Sequence, residues 1–239
     1  MKEEFIRTEM LLGSGAIEKL SHAHVAVFGI GGVGGHVVEV LARSGIGELT
    51  LVDSDQVNRS NINRQIIATH DTIGQNKVDV AAARIRSINP DCVIHTFPIR
   101  YEDTNREQFF VNHYDYIADC IDLVKCKLDL ICTALERHIP ILSAMGTGNK
   151  LDPSLLQITD LSKTEGCHLA RIIRRELRAR GIEHTKVLFS PEIPIKPEPL
   201  VENDPGRRST PASCAWVPSC AGLMMGGHIV QELLKSSDL

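Results

Sequence analysis

A short β-branched run, His24 to Ile30 (HVAVFGI), ends in the glycine cluster Gly29-Ile-Gly31-Gly32-Val-Gly34, which opens a helical pattern. No other stretch restricts the fold as much. Glycines let a backbone approach a phosphate closely, and a helix N-terminus offers unpaired N–H donors to it. A second run, Glu48 to Asp53 (ELTLVD), ends on a carboxylate 19 residues beyond Gly34. That is the position from which an Asp accepts hydrogen bonds from ribose hydroxyls. The glycine pattern alone is weak; strand, loop, helix and Asp together point to nucleotide binding.

Further runs of the same style follow at Val93 to Ile99, Tyr116 to Ile121 and Pro140 to Ala144. Helical stripes lie between them: Val78, Ala81, Ala82, Ile85 and Ile88, then Val124, Leu128, Ile131, Cys132 and Leu135. Strands alternating with helices imply a parallel sheet covered on both faces. The expected fold is therefore α/β, a doubly wound, mostly parallel, Rossmann-like sheet with a C-terminal extension. We read residues 1–239 as a single domain, with a nucleotide-binding core over 1–150 and the extension over 151–239. The extension is expected to hold strands at Leu155 to Leu161 and Lys186 to Ser190, and a helix at about Glu165 to Arg180. A long proline-rich surface loop over Pro191 to Pro211 and a last helix at about Ala221 to Lys235 complete it.

Composition narrows the class. The net charge of −4 excludes a wholly basic nucleic-acid binder but leaves room for a local basic patch. Ser209 to Gln231 lacks Asp, Glu, Lys and Arg, yet its prolines and glycines read as a buried loop plus a core helix rather than a membrane span. Met1 to Glu9 has no apolar stretch of the secretory kind. The seven cysteines form no CxxC pair, so a structural zinc site of that type is not expected. Reduced thiols and a cytoplasmic location are the expectation.

The residues after Asp53 separate ATP use from hydride transfer. Asp53-Ser-Asp55-Gln-Val precedes Ser60-Asn61-Ile-Asn63-Arg64-Gln65 and then Gly74-Gln-Asn-Lys77. A hydride-transfer site has no need of an Arg and a Lys so soon after its ribose Asp. A triphosphate does: an attacked α-phosphate and a leaving pyrophosphate gain charge that nearby cations stabilise. Asp119-Cys-Ile-Asp122 ends the fourth strand, and a carboxylate at that edge can hold Mg²⁺.

The ordered motifs GxGGVG, DxDxV, SNxNRQ, GxxK and DCID, over about Phe5 to Gly146, resemble the ubiquitin-activating-enzyme-like adenylyltransferases. That resemblance implies ATP and Mg²⁺ as cofactors. It implies that Asp53 holds the ribose, with Asp55 beside it, and that the loop of Gly29, Gly31, Gly32 and Gly34 cradles phosphate. Asn61, Arg64, Gln65 and Lys77 would surround the phosphates, and Asp122 would coordinate Mg²⁺. It also implies a homodimer in which Arg7 reaches into the other copy's site. Arg7, Arg64, Lys77 and Asp122 are thus the catalytic candidates.

Within that superfamily the sulfur-carrier activators usually have two CxxC pairs, which this chain lacks. Arg7-Thr-Glu-Met-Leu-Leu-Gly13, Ile88-Asn-Pro90, Thr159-Asp-Leu-Ser-Lys163-Thr and Leu169-Ala-Arg171 look like the tRNA threonylcarbamoyladenosine dehydratases. The implied reaction is ATP-dependent cyclisation, with net loss of water, of threonylcarbamoyladenosine beside the anticodon. The threonyl carboxylate is adenylated, and the tethered carbamoyl group closes onto it without an enzyme nucleophile. A carrier-protein adenylyltransferase, with or without a sulfur-delivery partner, stays open as an alternative, as does a nucleotide-binding scaffold without turnover.

The extension offers a separate sign of tRNA. At about 100° per residue, Arg171, Arg174, Arg175 and Arg178 share one helix face opposite Leu169, Ile172, Ile173 and Leu177. Four guanidiniums facing outward would suit a phosphate backbone, with Lys196, Arg207 and Arg208 able to add to them. Trp216, the sole tryptophan, reads as a core residue. Cys167, at the start of the basic helix, would suit a thioester or persulfide step only if its thiol were activated; an inert thiol is the expectation.

Overall fold

The computed structural model describes residues 3–198 and 211–235. Among these residues, seven strands form one sheet: β1 (His24–Phe28), β2 (Glu48–Val52), β3 (Val93–Phe97), β4 (Tyr116–Asp119), β5 (Ile141–Ala144), β6 (Gln157–Asp160) and β7 (Lys186–Phe189). Their order is β3-β2-β1-β4-β5-β7-β6. All neighbours are parallel except β6 and β7. The chain winds outward from β1 through β2 and β3, then returns to place β4 on the other side. That reversal opens a crevice at the carboxyl ends of β1 and β4, where ligands bind in such sheets.

Among the described residues, seven α-helices accompany the sheet: α1 (Ile6–Leu12), α2 (Ala16–Ser21), α3 (Gly34–Arg43), α4 (Lys77–Ile88), α5 (Val124–Glu136), α6 (His168–Arg178) and α7 (Trp216–Lys235). The central strands are apolar on both faces because both faces are covered. Val25, Val27, Leu49 and Leu51 pack with residues of α3, α4 and α7, such as Val37, Leu41, Ile85 and Ile229. Phe28, Val52, Ile117 and Val187 pack with residues of α5 and α6, such as Leu130, Ile131, Ile173 and Leu177.

Four helices differ from expectation. Helices α1 and α2 lie before β1, where no element is expected. The last helix begins at Trp216 rather than about Ala221, taking Pro218 into its first turn, where a missing N–H is harmless. On α5 the buried face holds Lys127, Leu130, Ile131 and Ala134, whereas Val124, Cys132 and Leu135 of the expected stripe are only half-buried. Helix α7 crosses α3 unusually closely. A β-carbon at Gly222 would stand 2.3 Å from the Val33 carbonyl oxygen, and one at Gly226 would stand 2.6 Å from Val40 Cβ. Among the described residues no helix is long and apolar enough to cross a membrane. Residues 191–198 of the expected loop carry no helix or strand; Arg207 and Arg208 lie outside the described residues.

Candidate active site

The glycine loop sits at the crevice. Gly29 has φ +89°, and a β-carbon there would meet the Cys120 carbonyl oxygen at 2.8 Å. At Gly34, where α3 begins, a β-carbon would lie 1.8 Å from the Gly29 carbonyl oxygen. Both positions therefore require glycine. Asp53 closes the loop from below: its carboxylate accepts the N–H of Ile30 at 2.6 Å and of Asp55 at 2.8 Å. Burial pushes the Asp53 carboxyl above its ordinary range, although Lys77 opposes the shift. Each carboxylate oxygen accepts more than one hydrogen bond, so Asp53 retains acceptor capacity for a hydroxyl.

Lys77 opens α4 and is buried, with Nζ 2.7 Å from Asp55 Oδ2 and 4.0 Å from Asp53 Oδ1. Arg64 comes to the same edge. Its Cγ would lie 3.6 Å from a β-carbon on Gly32, and its Nη1 donates to the Ser60 carbonyl and to Asn63 Oδ1. Burial lowers the Arg64 guanidinium from its ordinary value, leaving it charged. Asn61 accepts the Asn58 N–H through Oδ1 and so folds the turn that carries Arg64. Gln65 is only 6% exposed and lies beside Gly31, and its Oε1 has no hydrogen-bond partner. An orphaned buried acceptor beside a glycine cradle fits a site completed by a ligand.

The DCID turn is held through Asp119 by Lys127 and Ser143, which sequence reasoning passed over. Asp119 accepts from Lys127 Nζ at 2.6 Å and from the Ser143 hydroxyl, and both charged side chains are fully buried. Its other oxygen accepts the Ile121 N–H at 3.0 Å. This fixes the turn that presents Asp122, which is exposed at the edge and is not the cap of α5. The one available signal was a lysine inside an apolar helix pattern.

The extension forms a wall along this edge. Asn149 N–H donates to the Ala212 carbonyl, and Ala212 N–H returns to Asn149 Oδ1. Asn63 donates to the Ser213 carbonyl, and Pro218 lies against Gly32. Trp216 is half-exposed here, at 50%, with its indole N–H bonded to the Leu151 carbonyl. The expectation of a core tryptophan is thus corrected. The ring starts a helix at the rim, where only its edge is tied down.

Two other expected groups are placed differently. Arg7 lies on α1 near Phe5, which packs against Gly45 just beyond the C-terminus of α3. That is the amino edge of the sheet, so within one chain Arg7 does not join the glycine loop. On α6, Arg171, Arg175 and Arg178 are exposed, but Arg174 turns inward. Its guanidinium donates to the Thr164 carbonyl and to the Thr164 hydroxyl oxygen, whose own proton goes to the Leu161 carbonyl. The expectation of four outward arginines is therefore corrected to three. Cys167 caps α6 and is buried, with Sγ 3.8 Å from a β-carbon position on Gly146.

Comparison with known proteins agrees with this layout. The tRNA threonylcarbamoyladenosine dehydratase of Bacillus subtilis (strain 168) is 42% identical, covering 100% of this chain and 98% of that protein. A crystal structure of the E. coli tRNA N6-threonylcarbamoyladenosine dehydratase in complex with ATP has a TM-score of 0.88 at 33% identity, covering 98% of this chain and 94% of that one. The same enzyme in complex with AMP gives the same values. The pattern of the ThiF family matches residues 6–238, from the start of α1 to beyond α7, and the chain belongs to that family.

Proposed function

We propose that this chain is an ATP-dependent tRNA threonylcarbamoyladenosine dehydratase. The observation that carries the reading is the convergence of Arg64, Lys77 and the orphaned Gln65 acceptor on the glycine loop, in a chain that matches a dehydratase of that name end to end. ATP would lie with its ribose on Asp53 and its phosphates over Gly31 and Gly32. Asp122, a hard oxygen donor at the same edge, fits Mg²⁺, which would screen the triphosphate charge when bound.

The threonyl carboxylate then attacks the α-phosphorus and pyrophosphate leaves. Arg64 and Lys77 supply positive charge where the phosphate oxygens gain negative charge. In the second step a nitrogen of the carbamoyl group attacks the acyl carbon and AMP leaves with the former carboxylate oxygen. One proton is lost from nitrogen, so the nucleoside loses one water overall. Tethering of the two reacting groups removes most of the entropic cost, and no enzyme nucleophile is needed. The burial of Cys167 accords with that chemistry better than with a thioester step.

The tRNA would approach over the extension. Arg171, Arg175 and Arg178 would meet backbone phosphates, and the exposed face of Trp216 would stack on an unpaired base of the anticodon loop. Arg7 would act in the site of a second copy, in a cytoplasmic homodimer. The deciding experiment is mass spectrometry of nucleosides from tRNA carrying threonylcarbamoyladenosine, after incubation with protein and MgATP. The expected result is an ATP-dependent loss of one water from that nucleoside. An unchanged mass in a preparation that still binds ATP overturns the reading.

A further inference from the structure

A second cluster lies at the amino edge of the sheet, the length of β1 away from the glycine loop. His24 and Glu48 are paired across β1 and β2, and His95 is paired with Thr50 across β3 and β2. With the two-residue period of a strand, all four side chains share one face. His24, Glu48 and His95 each offer a ligand atom within 4.8 Å of the others, the one such trio among the described residues. His95 Nε2 stands 2.7 Å from Glu48 Oε1, and His24 Nδ1 stands 3.4 Å from the same oxygen.

Thr50 Oγ1 lies 2.8 Å from His24 Nε2. With the Nε2 proton donated to that hydroxyl, a neutral His24 turns its Nδ1 lone pair toward Glu48 Oε1, which is the tautomer that a metal bound through Nδ1 requires. Ligands at about 2.0–2.1 Å from a tetrahedral zinc lie about 3.3–3.4 Å apart, which matches the His24–Glu48 separation; His95 Nε2, hydrogen-bonded to the same oxygen at 2.7 Å, would draw back to that spacing as the metal enters. Tyr114 packs edge-on against His24 with ring centroids 4.8 Å apart, holding the imidazole plane. The Thr50 contact is the outer hydrogen bond that metal-bound histidines usually make.

We propose that His24, Glu48 and His95 bind a divalent transition-metal cation, preferentially zinc, which ties together the amino-terminal halves of β1, β2 and β3. Two imidazoles and a carboxylate suit zinc; magnesium and calcium prefer oxygen ligands throughout. The site is separate from nucleotide binding and does not depend on the proposed reaction.

The test uses the full chain, stripped of metal and free of nucleotide, titrated with ZnCl₂ by calorimetry and with CoCl₂ by absorbance. One equivalent should bind. The cobalt spectrum should have the strong d–d bands of low coordination without a thiolate-to-cobalt charge-transfer band, which separates this site from the seven cysteines. His95→Ala and Glu48→Gln, at partly exposed positions, should each weaken zinc binding at least about tenfold with an unchanged circular dichroism spectrum. Asp122→Asn should leave zinc binding as it is. A thiolate band, an affinity indifferent to both His95→Ala and Glu48→Gln, or no stoichiometric binding overturns the proposal.

Discussion

Lys127 reaches from α5 to Asp119 at the end of β4, Nζ to Oδ2 2.6 Å, with both side chains fully buried. The pair is also part of the site, because the same carboxylate holds the Ile121 N–H and so shapes the turn before Asp122. Lys127→Met should cost about 3–5 kcal/mol by leaving a buried carboxylate unpaired. Urea unfolding should find the double variant Asp119→Asn/Lys127→Met more stable than Lys127→Met alone, since it removes that charge. A single variant as stable as the parent would show the pair to be energetically idle.

This pair also marks the limit of what the sequence discloses. The five parallel strands β1 to β5 are legible because each is a short, largely apolar run between turn signals, whereas β6 (Gln-Ile-Thr-Asp) shows only through its place after the core. The glycine loop is legible because its backbone geometry admits few other residues. Lys127 is not, because a helical stripe drawn through apolar residues excludes a charge, and the buried face of α5 is rotated accordingly. Arg174 fails in the same way: periodicity places it among the exposed arginines, but the carbonyl of Thr164 draws its guanidinium inward. The antiparallel direction of β6 and the early start of α7 depend on contacts with β7 and with α3, which local sequence does not encode.

Arg64→Ala should retain the fold and lose adenylation. The guanidinium makes only local hydrogen bonds, to Ser60 and Asn63, so little structure depends on it. Removing one charge-stabilising donor typically costs about 100–1,000-fold in rate. Substrate-dependent exchange of labelled pyrophosphate into ATP measures the step directly. Exchange within a factor of about three of the parent would remove Arg64 from the mechanism.

Glu39 joins α3 to α4. It accepts from Arg84 at 2.6 and 2.9 Å and from Arg43 at 2.7 Å. Burial alone would raise its pKa, but the two arginines outweigh that and hold it below the ordinary value of 4.5. A depressed folded-state pKa stabilises the protein above the unfolded value, and that contribution disappears as pH falls through the folded one. Glu39→Gln should therefore cost about 1.5–3 kcal/mol at pH 7. The gap between variant and parent should narrow as the medium is acidified below the ordinary glutamate range. A gap independent of pH would assign the loss to packing.

The exposed arginines of α6 predict a salt effect. Replacing Arg171, Arg175 and Arg178 with Gln should weaken tRNA binding. It should also reduce the slope of log affinity against log salt by about 0.7–0.9 for each phosphate that is no longer neutralised. Arg174→Gln should behave differently, lowering thermal stability while leaving the slope alone, because its guanidinium serves the Thr164 turn. An unchanged slope in the triple variant would make this helix an ordinary solvated face.

Trp216 offers the sharpest separation of tRNA recognition from ATP chemistry. Its indole N–H is anchored on the Leu151 carbonyl at 2.7 Å, yet half the residue is exposed, two positions before the proline that packs on Gly32. A large apolar ring held by one edge at the rim of a nucleotide site is placed to stack on a base. Loss of such a stack costs about 1–3 kcal/mol, or about 5- to 150-fold in affinity. Trp216→Ala should raise KM for modified tRNA by that factor with ATP binding unaltered, and Trp216→Phe should recover part of the loss. If Trp216→Ala instead weakens ATP and tRNA binding equally, the ring supports the glycine loop through Pro218 and reads no base.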